Sequence, residues 1–427
     1  MEKLNRKIQP KAFSIDNIKF NNPKKEILEN NIPVYIFDNP EQEFLKIDFV
    51  FDAGTKYQQS PLVATITNKM LKEGTKSYSS IKIDKTIDFY GAYLILSTSK
   101  DIATVSLYCL NKNLQHLLPV VEEIIKHPTF NKKELEILLH KQKQAFLLDS
   151  EKVNVLAARN FSKALFGKNH NYAFNTTLSD FDKITQKQLF DFYYRHYTTN
   201  NLKIVIAGNI TKKVKSLITE KFSDKWRVSV TNKFIIHKPQ STTNKFNLIK
   251  KEDTVQASIR IGKIMFNRLH DDYKGMLVLN TIFGGYFGSR LMTNIREDKG
   301  YTYGISSSLI SLGDTGYFAI SSEVGKNVCK KAINEVYNEI KILKTELVNK
   351  QELNLVKNYM LGQILRSFDG VFSTSDNFIS LIINNLDFDY YNELINKIKT
   401  IKNSEINKLA NKYLDKDTFI EVVAGNC

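Results

Sequence analysis

By type and spacing, the residues best suited to do chemistry are Arg296 and Tyr303, seven positions apart in the stretch from Phe283 to Ile305. A forked guanidinium and a phenol held close together suit a carbonyl or a carboxylate. Upstream stand Gly284, Gly285 and Gly288. Glycines there allow positive φ and a close approach of backbone to a ligand. A second reading of the same spacing is a surface Arg and a half-buried Tyr on an ordinary connection.

The elements around the pair follow from local pattern. The stretch reads as a helix end, a glycine-opened loop, a short helix and the start of a strand. Leu291, Met292 and Ile295 give the short helix an apolar stripe. Gly300 ends it, and from Thr302 the pattern alternates like a strand. Arg296 and Tyr303 thus flank one helix-to-strand turn.

The rest of the chain supplies the same kinds of element. A hairpin turns at Asn30-Asn31, Phe44 to Phe51 alternates as a strand, and helices are expected at Pro61–Leu71, Ser80–Phe89 and Leu114–Ile125. Lys132 to Phe166 reads as a long helix broken near Asp149. Asn131-Lys132-Lys133-Glu134-Leu135 recurs as Asn349-Lys350-Gln351-Glu352-Leu353, an offset of 218, and Ile206-Ala207-Gly208-Asn209 recurs as Val423-Ala424-Gly425-Asn426, an offset of 217. Two matches at nearly one offset imply a duplication. The fold class is therefore α+β, with two homologous domains, each a mostly antiparallel sheet with helices on one face. The expected limits are an arm at 1–24, a first domain at 25–225, a linker at 226–244 carrying a short strand at Phe234-Ile235-Ile236, and a second domain at 245–427.

The glycines, Ser289-Arg290-Leu291, and an Arg followed seven residues later by a Tyr resemble the C-terminal-half signature of the M16 (pitrilysin/insulinase/mitochondrial processing peptidase) metallopeptidase family. The resemblance runs over nearly the whole chain. It implies an M16/LuxS-like metallohydrolase fold enclosing a peptide chamber, with Arg296 and Tyr303 touching the substrate. Gly284 and Gly285 would bring backbone close to an extended peptide, which could add as a strand.

The same resemblance implies a zinc site, His-x-x-Glu-His, on a helix of the first half. Its landmarks are present: Ala53-Gly54-Thr55 before, and Met70-Leu71-Lys72-Glu73-Gly74-Thr75 after. Between them stand Thr65 and Lys69 at the ligand positions and Asn68 at the position of the base. A neutral hydroxyl is a poor zinc ligand, an ammonium brings positive charge to a cation's place, and an amide cannot take a proton from water. The third ligand falls in Lys141-Gln142-Lys143-Gln144, which has no carboxylate. The seven histidines include no pair at ligand spacing. No metal and no cofactor are expected in this chain, and zinc is expected in a partner. The implied function is the non-catalytic, substrate-binding subunit of a heterodimeric zinc metallopeptidase, paired with a zinc-bearing M16 paralogue. The alternatives are a structural relative and a stand-alone peptide-binding homodimer.

Composition narrows the other classes. With 42% hydrophobic residues, 27 Phe and 20 Tyr in 427 residues, the chain can bury a large core. The net charge of +16 is spread among acids with no basic block, so a Lys-rich solvated surface is favoured over nucleic-acid binding. No apolar run is long enough to span a membrane. Cys109, Cys329 and Cys427 show neither metal spacing nor a disulfide framework, and Cys109 and Cys329 read as packing residues. The chain as given reads as cytoplasmic, or periplasmic if a leader has been removed.

Overall fold

Two sheets with one strand order organise the chain. A computed structural model describes residues 15, 18–173, 176–228 and 238–427. The first sheet holds β1 (Lys24–Ile27), β2 (Pro33–Asp38), β3 (Phe44–Phe51), β4 (Tyr93–Thr98), β5 (Ala103–Leu110) and β6 (Leu202–Gly208), in the order β1-β2-β6-β3-β5-β4. The second holds β7 (Phe246–Ile249), β8 (Gln256–Met265), β9 (Thr302–Ser311), β10 (Gly316–Gly325) and β11 (Ile420–Ala424), in the order β7-β11-β8-β10-β9. From β2 and β7 onward the two orders are the same. Each has its parallel pair at the same place, β2 with β6 and β7 with β11. This is the duplicated α+β architecture expected from the repeats.

The repeats mark positions where the backbone needs one residue type. Asn131 caps the Lys132–Ser150 helix by accepting from the Lys133 N–H, and Asn349 caps the Lys350–Ser367 helix by accepting from the Glu352 N–H. Each satisfies an otherwise unpaired helix-end donor. Gly208 and Gly425 have φ of 125° and 111°. A Cβ at Gly208 would lie 2.4 Å from the Phe44 carbonyl oxygen, and one at Gly425 would lie 2.7 Å from that of Gln256. Phe44 and Gln256 are the first residues of β3 and β8, so the same close crossing is made twice.

Helices form the main layer on one face of each sheet, and the opposite face receives a helix from the other half. Val153–Phe166 packs on β8 and β11, while Val371–Ile382 packs on β6 and β2. Phe161, Leu165 and Phe166 cluster with Ala319 and Val422. Phe37, Val50, Val205 and Ala207 of the first sheet lie in the core of the second half. Central strands covered on both faces read as continuous apolar runs, and seven of the eight residues of β3 are buried.

Two buried lysines tie the halves together. Lys46 of β3 bonds Asp48 at 3.0 Å and also Asp376 of the second half. Lys56 bonds Asp101 and Asp314, each at 2.9 Å, and the Tyr172 hydroxyl donates to the same two carboxylates.

Several readings change. Cys329 and Cys427 form a disulfide, where no disulfide was expected and Cys329 was expected to serve packing. Cys109 is buried, and burial pushes its thiol up to about 12. Just past the expected linker lies β7, a four-residue edge strand too short to declare itself by alternation. The strand expected at Phe234-Ile235-Ile236 lies outside the described residues. A helix at Lys212–Phe222, capped by Thr211, had not been anticipated.

Stability should depend on His196, at the end of the Gln186–His196 helix against Phe192. Burial lowers its pKa from 6.5 to about 4. The folded state therefore resists a proton that the unfolded chain accepts. Stability is full above pH 6.5 and should fall on the order of 2 kcal/mol as the pH drops toward 4. A pH series of urea midpoints checks this, because His196→Phe should flatten that part of the curve.

Candidate functional site

Arg296 and Tyr303 meet at the start of β9. The Tyr273–Asn280 helix runs into a wide helical turn at Thr281–Gly285. A second wide turn at Met292–Asp298 carries Arg296, and Gly300, at φ 65°, reverses the chain into β9. The Arg296 Nε donates to the Tyr303 carbonyl at 3.0 Å, and its guanidinium stacks on Phe287, 4.6 Å from the ring centre. The contact is to the Tyr303 backbone. The phenol ring is 92% exposed.

A β-bulge exposes that ring. Between the pairs Ser322–Ile305 and Val324–Thr302, Glu323 of β10 faces two residues of β9, Tyr303 and Gly304. Ile305 and Leu309 point into the core, an alternation that would bury Tyr303 if it ran on. A bulge re-aims a side chain in this way. Hydroxyls clamp it: the Gly304 N–H donates to Thr302 Oγ1 at 3.0 Å, and Ser322 Oγ donates to the Gly304 carbonyl at 3.0 Å. Sequence reading missed Thr302 and Ser322, although a glycine inside a strand pattern is a signal for a bulge. Arg296 and Tyr303 line one cavity of about 580 Å³ with Gln256 and Glu323, and Tyr303 lines a second of about 340 Å³.

The glycines do not take the positive φ expected of them: none of Gly284, Gly285 and Gly288 has it. Gly284 is buried, and a Cβ there would lie 2.6 Å from Ser307 Oγ, so its close approach is to β9. Gly285 is exposed and lies over Asn280.

In the first half, the Val63–Met70 helix holds Thr65, Asn68 and Lys69. Asn68 is fully buried. Its amide donates to the Ser97 carbonyl at 2.7 Å and accepts from the Tyr197 hydroxyl at 3.1 Å. Lys69 Nζ donates to Gln142 Oε1 at 2.9 Å, and burial lowers its pKa. Thr65 is half-buried on the same helix. Gln142 belongs to the segment in which the third ligand was sought, so the fold brings that segment to Lys69. The donor set does not fit zinc. Lys69 is an ammonium that hydrogen-bonds Gln142, and the Asn68 amide is committed to the backbone of β4, so neither offers an anionic or imidazole donor. Among the described residues, no group of three His, Cys, Asp or Glu could hold a metal ion.

Restoring the motif should fail. The triple variant Thr65→His, Asn68→Glu, Lys69→His should bind no stoichiometric zinc, because Gln142 offers no carboxylate. It should also be less stable by about 1–3 kcal/mol, because the Ser97 carbonyl and the Tyr197 hydroxyl lose their buried partner. Metal analysis and a melting curve of the purified variant check both halves of this expectation.

Two sheets that share one strand order from β2 and β7 onward define a duplicated α+β chain. The family model described as "Insulinase (Peptidase family M16)" matches residues 34–178, and that described as "Peptidase M16 inactive domain" matches residues 183–360. The chain belongs to the M16 peptidase family. It is 24% identical to "Uncharacterized zinc protease YmxG" of Bacillus subtilis, across 94% of this chain and 98% of that protein. It is 22% identical to "Non-peptidase homolog YmxG" of Helicobacter pylori, across 94% of both. The solved peptidase M16 inactive domain from Pseudomonas fluorescens has the same fold, with a TM-score of 0.86 at 22% identity over 95% of this chain and 99% of that one. Among the described residues, no helix is long and apolar enough to cross a membrane.

Proposed function

We propose that this chain is the non-catalytic, substrate-binding subunit of a heterodimeric M16-type zinc metallopeptidase that cleaves peptides or unfolded polypeptides in a closed chamber. Its partner is a zinc-bearing paralogue. The observation that carries the reading is the split between the halves. Lys69 bonds Gln142 where a metal would be held, while Tyr303 is pushed into the open beside Arg296. A solvent-exposed Tyr on a clamped bulge has no packing role, so contact with a ligand is the use left to it. Arg296 offers forked donors to the peptide, and Tyr303 offers one donor to the carbonyl under attack.

The proposed domain limits remain 25–225 and 245–427, joined through 226–244. The Cys329–Cys427 bridge favours the periplasm over the cytoplasm, because such bridges persist in oxidising compartments. Three titratable thiols in protein drawn from its own cells would remove that ground. The reading itself is tested by co-expression with the zinc-bearing M16 paralogue of the same organism. A stable one-to-one complex is expected, and failure of the two to co-purify would count against it.

A further inference from the structure

Across β9, β10 and β8, one row of side chains runs Ser306, Ser321, Arg260. Ala257, Ile259 and Ile261 of β8 point into the main helical core, so Arg260 points to the other face. It stands at a border. Ser306 is exposed, and Val422, beyond Arg260 in the row, is buried with residues of the Val153–Phe166 helix.

The first sheet fills the matching position in a different way. Asp48 pairs with Ser106 across β3 and β5, as Arg260 pairs with Ser321 across β8 and β10. Asp48 is 3% exposed and has charged and polar partners, Lys46 at 3.0 Å and the Ser106 hydroxyl at 2.6 Å. Lys46 is also held by Asp376 on the crossing helix. In the second sheet the serine is kept, as Ser321, and the charged groups change. Lys46 faces Ala207, and its counterpart facing Ala424 is Ser258. At the repeat offset of 218, Asp376 corresponds to Ala158, which is exposed. Where the first sheet has a buried ion network, the second has one half-buried cation. Glu323 acts on Arg260 only through space, with no ion pair between them. Arg260 lines the cavity of about 340 Å³ that Tyr303 also lines.

A half-buried guanidinium without a paired anion has lost water without compensation. A carboxylate entering the cavity would meet its fork in two parallel hydrogen bonds. We propose that Arg260 receives a carboxylate of the bound peptide, from an acidic side chain or a free C-terminus, and so selects which peptides lie against Tyr303. This rests on the peptide-binding reading above.

The test uses the full-length chain and fluorescein-labelled unstructured peptides that differ only in a central Glu or Gln and in a free or amidated C-terminus. Peptides carrying the recognised carboxylate should bind about tenfold more tightly by anisotropy, and the four combinations tell side chain from C-terminus. Arg260→Gln should erase the difference between the charged and uncharged peptides. Arg260→Lys, which keeps the charge, should retain part of the preference and covers the case in which Arg260→Gln folds poorly. Equal binding of all four peptides, or a preference that persists in Arg260→Gln, would overturn the role of Arg260 alone. Absence of binding by any of them would bring down the peptide-binding reading and this inference with it.

Discussion

Tyr303→Phe should slow peptide cleavage by the mixed complex roughly 10²–10³-fold, although this chain holds no catalytic metal motif of its own. The substitution removes one hydroxyl from a ring that is 92% exposed and has no packing to lose. The bulge that presents it is held by Thr302, Ser322 and the Tyr303 carbonyl contact with Arg296, none of which uses the phenol. Folding and assembly with the partner should therefore be unchanged, so the loss reads on turnover. Arg296→Ala should weaken peptide binding, and it removes both the Tyr303 carbonyl contact and the stack on Phe287. Wild-type turnover in a well-assembled double variant would leave the pair without a substrate role.

The largest expected loss of stability is at Lys46. Lys46→Met should cost about 3–5 kcal/mol, because it strands a buried carboxylate. Asp48 would keep only the Ser106 hydroxyl while remaining 3% exposed. Burial already raises the Asp48 pKa, with Lys46 opposing the rise. Without Lys46 the folded pKa goes higher. A raised carboxyl pKa favours the folded state below the unfolded pKa and loses that advantage as pH rises through the folded value. The variant should thus be least stable at neutral pH and recover partly in mild acid. Adding Asp48→Asn should restore most of the loss at neutral pH. A wild-type urea midpoint for Lys46→Met would show that the pair carries little of the link between β3 and the crossing helix.

Much of the fold was legible because its signals are local. Asn131 and Asn349 announce helix starts, Gly208 and Gly425 announce crowded strand ends, and the helix before His127-Pro128 runs as its periodicity predicts, ending at Lys126. The Lys212–Phe222 helix was legible too, through Thr211, Val214, Ile218 and Phe222, and was passed over. What could not be read is long-range. Exchange of the Val153–Phe166 and Val371–Ile382 helices leaves no mark on either helix alone, since each is amphipathic whichever sheet it covers. The Cys329–Cys427 bridge joins residues separated by 98 positions. At the site, the spacing of Arg296 and Tyr303 put them on one turn, but the exposure of Tyr303 comes from an extra residue in β9, visible only against its partner strand. Gly284 makes room for Ser307, which a missing Cβ cannot announce, because it does not say which neighbour needs the space.

We propose that this chain completes a peptidase it cannot form alone, and peptide cleavage by a fixed amount of the zinc-bearing M16 paralogue titrated with this chain, on an unstructured fluorogenic peptide, measures this directly. Each protein alone should be nearly inactive, and activity should rise to a plateau at one chain per partner. A partner that cleaves equally well without this chain would contradict the account, as would this chain cleaving the peptide with no partner present.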